Sequence, residues 1–452
     1  SQLKALNAKV NEVKAHDAND NLKFNVDFRT AVDSLNYKMA DGSEASNNAL
    51  LTNRLWLNMG YAVDQNNVFK GTLSYNKAYG DSANHSQANV AGTQGYANFD
   101  WVTNENATDN TLKVKEAYWL YMNDTFLGTD HPWTASVGRR PSTDGLGINL
   151  REDADPKSPL AHIVNVEFDG ASFKFDKVLP TTGSSFKICL GRGLTNANPR
   201  FTQNGTDYAA NQTKSNIDDV DMYGFIFVPF DNGQYSLSTN VARAEHLIGF
   251  ASSGTIYLTA TGYDYNPATP TNPPVFKDVG NLDLYATTFK VDGIGNGISE
   301  YLDNTKIFAS YAMSKTDPTK AYGMLGSTNS ETGHSEWIGI NMPCPISKDG
   351  KWGIEWNKGS KYWRPVTYAE DTMIGSKVAA RGTAWEVYYN KPLTKALEAS
   401  LRYTAIDYDY TGSNSFFGAD GAPMKISDLP SSQKANYVDK ANDLRVAISY
   451  RF

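Results

Sequence analysis

Cysteine is almost absent from this chain: Cys189 and Cys344 are the only two in 452 residues. Their contexts, FKICLGRG and NMPCPIS, contain neither CxxC nor CxxCH. That removes a structural zinc, a thioredoxin-like redox pair and covalent haem, and leaves two apolar or lumenal thiols, with a disulfide between them as the alternative. Histidine is scarce too, at six: His16, His85, His131, His162, His246 and His334. No GxSxG occurs, and GHSEW at 333–337 lacks the second glycine. His334 beside Ser335 is the one adjacent Ser/His pair, and a strand sends neighbours to opposite faces, so the two cannot act together. No enzyme is expected. Long apolar runs are missing as well: no stretch of about 18 apolar residues exists to form a membrane helix. Mean hydropathy is -0.48. A basic cluster is the last absentee. With a net charge of -7 and a pI near 5.5, nothing resembles the electropositive face that a nucleic-acid partner needs. No leader is visible at Ser1, and an exported chain would already have lost it.

What the chain does have is aromatic residues and glycine: Tyr 26, Phe 20, Trp 9, Gly 36. Such a composition without helical runs points to an all-β protein. Residues 1–18 stand apart. Leu3, Leu6, Val10 and Val13 keep a three-four-three spacing, which predicts a short coiled coil or an amphipathic helix in front of the main domain, 21–452. From Asn21 on, hydrophobicity alternates with period two. In NLKFNVDFR, Leu22, Phe24, Val26 and Phe28 oppose Lys23, Asn25, Asp27 and Arg29. The last nine residues, LRVAISYRF, set Leu444, Val446, Ile448, Tyr450 and Phe452 against Arg445, Ala447, Ser449 and Arg451.

Sixteen such segments can be placed, near 21–37, 50–64, 67–79, 111–122, 132–140, 162–176, 184–193, 217–229, 233–244, 279–292, 304–314, 334–343, 350–358, 377–390, 395–410 and 438–452. A stretch at 253–265 would be a hairpin within a loop or raise the count to eighteen. Short links (63–67, 230–234, 390–395) alternate with long polar ones near 38–49, 80–110, 141–161, 194–216, 244–278, 315–332, 359–376 and 411–437. Strands of about ten residues, with short turns on one side and long loops on the other, form the pattern of an outer-membrane β-barrel. Closure pairs the last strand with the first, because hydrocarbon leaves no backbone group without a partner. The apolar face meets lipid and the charged face meets the lumen. A soluble sandwich would need linkers, and a propeller an internal repeat; neither is present. The even count puts both termini on the short-turn, periplasmic side of a bacterial outer membrane.

The stretches ASVGRRPSTDGLGINL and SPLAHIVNVEFDGASFKF, with CLGRGL and the closing SYRF, resemble an uncharacterised family of outer-membrane barrels from Campylobacter-like bacteria. The resemblance implies a porin-like function over about 21–452. Its likeness to trimeric porins with a coiled coil in front implies a homotrimer.

A sixteen-stranded barrel is wide enough for an aqueous channel. Its selectivity would lie in charged rings and inward-folded loops. The third long loop is the candidate constriction, with Arg139, Arg140, Arg151 and Lys157 against Asp144, Glu152, Asp153 and Asp155; mixed charges there set up a transverse field. Strand parity points Asp27, Arg29, Glu116, Glu355, Glu398, Arg402, Arg445 and Arg451 into the lumen, since a charge on the lipid face at mid-depth costs roughly 2–4 kcal/mol. The acidic runs at 151–156 and 218–221 offer carboxylates to Ca²⁺, without an EF-hand pattern; otherwise no cofactor is expected. The expected partners are membrane lipid, further copies of the chain and small hydrophilic solutes. The expected function is passive diffusion of those solutes. A substrate-specific channel and a plugged barrel with a structural or adhesive role are the alternatives.

Overall fold

The computed structural model describes residues 22–80, 112–198, 200–210, 218–251, 258–259, 262–263, 275–414, 418 and 421–452. The helix expected over residues 1–18 lies outside the described residues.

Sixteen antiparallel strands close into one barrel, each paired with its sequence neighbours and the last with the first. They are β1 (Lys23–Met39), β2 (Glu44–Ala62), β3 (Asn67–Ala78), β4 (Lys113–Asn123), β5 (Trp133–Arg140), β6 (Phe168–Asp176), β7 (Ser185–Leu194), β8 (Val220–Asp231), β9 (Tyr235–Ala251), β10 (Val275–Asp292), β11 (Lys306–Pro318), β12 (Thr332–Pro343), β13 (Lys351–Gly359), β14 (Gly382–Pro392), β15 (Leu397–Tyr408) and β16 (Val438–Arg451). The segment near 253–265 contributes only a two-residue ribbon, Leu258–Thr259 against Gly262–Tyr263, outside the barrel.

The last strand pairs with the first. Phe28 stands opposite Tyr450 and Asp33 opposite Arg445. The Phe452 amide donates to the Val26 carbonyl at 3.1 Å, and the Val26 amide returns the bond at 2.9 Å. On β16, Val446 is 53% exposed on the outer face while Arg445 is 2% exposed inside. Period two thus separates lipid from lumen within one strand. Aromatic side chains gather at the short-turn rim: Tyr121 and Trp133 lie 5.2 Å apart, Phe126 and Phe175 5.1 Å, Tyr450 and Phe452 5.3 Å. This is where a girdle belongs. At the long-loop end, the strands rise into a charged outer band, where Arg192 holds Asp221 at 2.6 Å and Arg243 holds Asp283 at 2.8 Å.

One expected loop is a tight turn. Residues 38–49 read as a long link, yet β1 and β2 run on to a four-residue turn at 40–43. Asp41 Oδ1 accepts from the Ser43 amide at 2.9 Å and from its hydroxyl at 2.6 Å, and Gly42 takes φ 88°. An Asp-Gly pair supplies what such a hairpin demands.

The barrel interior is not uniformly polar. Leu282, Leu284 and Ala286 of β10, with Met222 of β8 and Ala242 and Ala244 of β9, face inward and bury against Leu146, Leu160, Ile163, Val164, Val166, Trp363 and Val366 from two loops. A hydrophobic core therefore sits inside the barrel, on its β8–β11 side.

Candidate functional site: two loops across the lumen

The loop at 141–167 leaves β5 and crosses to the opposite wall. Gly147 packs under the Trp337 ring of β12. The Leu150 carbonyl accepts from Asn341 of β12 at 3.3 Å, and the Arg151 carbonyl from Asn390 of β14 at 2.7 Å. The Arg151 guanidinium reaches Glu386 of β14 at 3.2 Å and Glu370 at 3.1 Å. Glu152 lies 3.7 Å from Arg402 of β15 and 3.8 Å from Arg451 of β16. Asp153 meets Lys351 of β13 at 2.6 Å. The loop then returns to its own side, where Lys157 meets Glu116 of β4 at 2.5 Å and Ser158 accepts from Lys187 of β7 at 2.6 Å.

A second loop, 360–381, enters from the far wall and lies against the first. The Asn165 amide donates to the Val366 carbonyl at 2.7 Å, and the Val366 amide to the Ile163 carbonyl at 2.9 Å. Its tip carries Asp371 to the wall where the barrel closes. There Asp371 pairs with Arg29 of β1, with Arg54 of β2 at 3.3 Å and with Arg445 of β16 at 3.1 Å; its carbonyl accepts from Arg402 at 2.5 Å. Lys377, wholly enclosed, holds Glu355 of β13 at 2.5 Å and Glu386 at 2.8 Å. The two loops meet side by side and traverse the cross-section.

Burial acts to raise the Asp371 carboxyl, but Arg29 and Arg445 outweigh it and hold it well below the usual carboxylate range. Burial raises Glu152 likewise, and Arg54, Arg402 and Arg151 bring it below its ordinary value. Both remain charged, since a desolvated carboxylate stays ionised where cations surround it. His162 is the opposite case. It lies fully buried between Ser310 Oγ at 2.7 Å and Ser335 Oγ at 2.9 Å, with Trp337 and Trp363 edge-on, and burial lowers its pKa to about 3. Ser335 and His334 do point apart: His334 Nδ1 is hydrogen-bonded to the Tyr311 hydroxyl on the outer face at 2.8 Å. A serine-histidine contact exists with His162 instead, but among the described residues no carboxylate contacts that ring, and it is fully buried. The group locks the loop to β11 and β12.

The residues expected at a constriction divide into three sets. Arg151, Glu152, Asp153 and Lys157 are brought to the far wall or the return leg as described. Asp155 is exposed, and Asp144 takes φ 59° where its carbonyl accepts from the Lys157 amide at 3.1 Å. Arg139 and Arg140 sit at the end of β5, away from the crossing. Arg139 lies 3.7 Å from Glu167 and 3.5 Å from Asp169, and Arg140 donates to Ser172 at 2.8 Å. Of the residues assigned to the lumen by parity, Asp27 meets Arg451 at 3.0 Å, Arg451 meets Glu398 at 3.6 Å, and Arg445 meets Asp33 at 2.5 Å. Arg29, Glu116, Glu355 and Arg402 hold the contacts given above. The acidic runs weighed for Ca²⁺ are largely engaged by cations: 151–156 through Lys351, Arg402 and Arg451, and 218–221 through Arg192, which takes Asp219 at 2.5 Å as well as Asp221.

Sequence reasoning missed Asp371, Lys377, Arg54 and Glu386. Arg54 and Glu386 were within reach of parity: with Leu55 and Leu57 outward Arg54 falls inward, and Trp385 and Val387 flank Glu386. Asp371 and Lys377 lie in a loop with no period to read.

A family model described as "Protein of unknown function (DUF3373)" matches residues 44–452. The chain belongs to this family. Among curated proteins, no sequence matches it. Solved structures similar to this member of the family include an anion-selective porin from Comamonas acidovorans, at 10% identity over 96% of this chain and 100% of that one, with a TM-score of 0.49. OprB of Pseudomonas putida is similar at 12% identity over 97% and 96%, TM-score 0.49. Salmonella typhi OmpF, in complex with daunomycin, is similar at 10% over 97% and 99%, TM-score 0.48. So remote a likeness carries no argument about what this barrel passes.

Proposed function

We propose that this protein is an outer-membrane channel of the porin type, passing small hydrophilic solutes by diffusion through an opening narrowed by two loops. One observation carries the reading: loop 141–167 runs from β5 to the β12–β16 wall and back, bringing Arg151, Glu152 and Asp153 against wall charges of opposite sign. Ordered charges of both signs across a narrow passage orient polar solutes and exclude apolar ones. The wall charges favour the solute-selective form over an unrestricted pore. Arg54 is 2% exposed and Glu386 0%, whereas the walls of a wide aqueous lumen would be hydrated. Glu152→Lys tests the reading. It exchanges an acid for a base beside Arg402 and Arg451, so the reversal potential under a salt gradient shifts toward anions; an unchanged potential removes this loop from the ion path.

The same reading places both termini in the periplasm and three copies in the assembly, with residues 1–18 as a coiled coil that favours the trimer. Deleting 1–18 then lowers the trimer fraction on native gels, and an undiminished trimer refutes that role. Kinship with barrels of Campylobacter-like bacteria belongs to this proposal as well.

A further inference from the structure

Between loop 141–167 and the inner wall of β5–β9 lies a cavity of about 30 Å³. At roughly 10–15 Å³ for one water-sized centre, it holds two or three such positions. Its polar lining consists of donors, hydroxyls and a thiol: Arg140, Lys187, Asn240, Ser158, Ser172 and Cys189. Among the described residues no carboxylate lines it. The remaining walls are apolar, chiefly Pro141, Pro159, Val164, Phe168, Met222 and Ala242.

Two donors stand unused. Arg140 is 7% exposed and Asn240 3%. Arg140 spends one nitrogen on Ser172 and lays its guanidinium 5.0 Å from the Tyr118 ring centre. Its Nε, like Asn240 Nδ2, is buried with no hydrogen-bond partner among the described residues. Lys187 donates to Ser158 at 2.6 Å. Glu116, on the neighbouring β4, is engaged by Lys157. Two cations and an amide therefore border one cavity that no carboxylate among the described residues lines, and Glu116, the acid that acts on Arg140, is already held by Lys157. Buried polar groups are ordinarily satisfied, and a buried cation without a counter-charge is costly. An anion supplied from outside completes the set.

We propose that this cavity binds a small organic carboxylate, its head on Arg140, Asn240 and Lys187 and its short alkyl tail on Val164, Phe168 and Met222. The inference deepens the channel reading and rests on it: a weak carboxylate site beside the constriction would give that class of solute a step on its path.

Cys189 in the lining allows a direct test. In the full chain with Cys344→Ser, Cys189 is the only thiol, and a methanethiosulfonate reagent converts it to a mixed disulfide with release of methanesulfinate. The anionic sulfonatoethyl reagent should react roughly tenfold faster than the cationic trimethylammonioethyl one, because a cavity of one sign concentrates the opposite charge. Propionate should slow it, and more so than nitrate at equal concentration. Arg140→Gln should abolish both the charge preference and the protection. Asn240→Leu should weaken the protection in a second background, with folding of each variant checked by heat-modifiable gel mobility. Equal rates for the two reagents, no reaction with either, or protection that survives Arg140→Gln overturns the site. Nitrate protecting as well as propionate overturns the alkyl part of the assignment. Conductance of the same samples separates the two readings. Conduction without propionate protection removes the site and keeps the channel; protection in a silent barrel keeps the site and removes the channel.

Discussion

A single carboxylate, Asp371, faces guanidinium groups of Arg29, Arg54 and Arg445. Removing one partner of a buried ion pair costs about 3–5 kcal/mol, because the other is left uncompensated. Asp371→Asn should therefore loosen loop 360–381, raising conductance and lowering the melting temperature together. An unaltered conductance with an intact barrel would mean the loop does not bound the opening. The pH dependence has a definite sign. Asp371, held below its ordinary value, contributes stability that is present above the unfolded pKa and lost as pH falls through the lower folded one. His162, depressed to about 3, acts over a different window. Below about 6.5 the unfolded chain takes up its proton and the folded chain does not, so stability falls from there downward. His162→Gln should flatten the decline in melting temperature between pH 7 and pH 4.5; an equally steep decline would assign it to other groups.

At the scale of the element, loop 141–167 depends on Gly147. Its φ is 108°, and an added Cβ would stand 2.3 Å from the Trp337 ring. Both the conformation and the space require glycine. Gly147→Ala should displace the loop from β12, cost about 1–3 kcal/mol as an overpacked site and alter ion selectivity; a wild-type melting curve and reversal potential would contradict this. Elements were legible in the sequence where one face alone is apolar. β16 is the clear case, with Leu444, Val446 and Ile448 out and Asp443, Arg445 and Ser449 in. β10 reads the other way. Leu282 and Leu284 alternate with Asp283 and Tyr285, as if the leucines faced lipid, yet they point inward and are fully buried. The reason is the interior core. Loops 141–167 and 360–381 bring Val164, Ile163 and Val366 to that wall, so the lumen side is apolar there too. Asp283 belongs to the charged outer band above the hydrocarbon. The 40–43 turn was obscured likewise, because strands that rise beyond the membrane carry polar residues on both faces.

For the whole molecule, strand number and closure followed from turn-loop alternation and parity, which depend on the hydrogen-bonding needs of backbone in lipid. The joint crossing by two loops did not, because neither periodicity nor composition tells an inward loop from an outward one. The lipid face gives a direct check of the barrel. Val446→Arg should destabilise by roughly 2–4 kcal/mol at mid-depth, read as a lowered unfolding midpoint in detergent or lipid, whereas Ala447→Ser on the lumen side should not; equal midpoints would mean β16 does not present Val446 to hydrocarbon. The most direct test of the central claim is single-channel conductance of the purified protein in a planar bilayer, compared with that of Asp371→Asn. The account predicts small, uniform steps that grow in the variant. Silence from well-folded protein and variant alike would contradict it and leave a barrel plugged by its own loops.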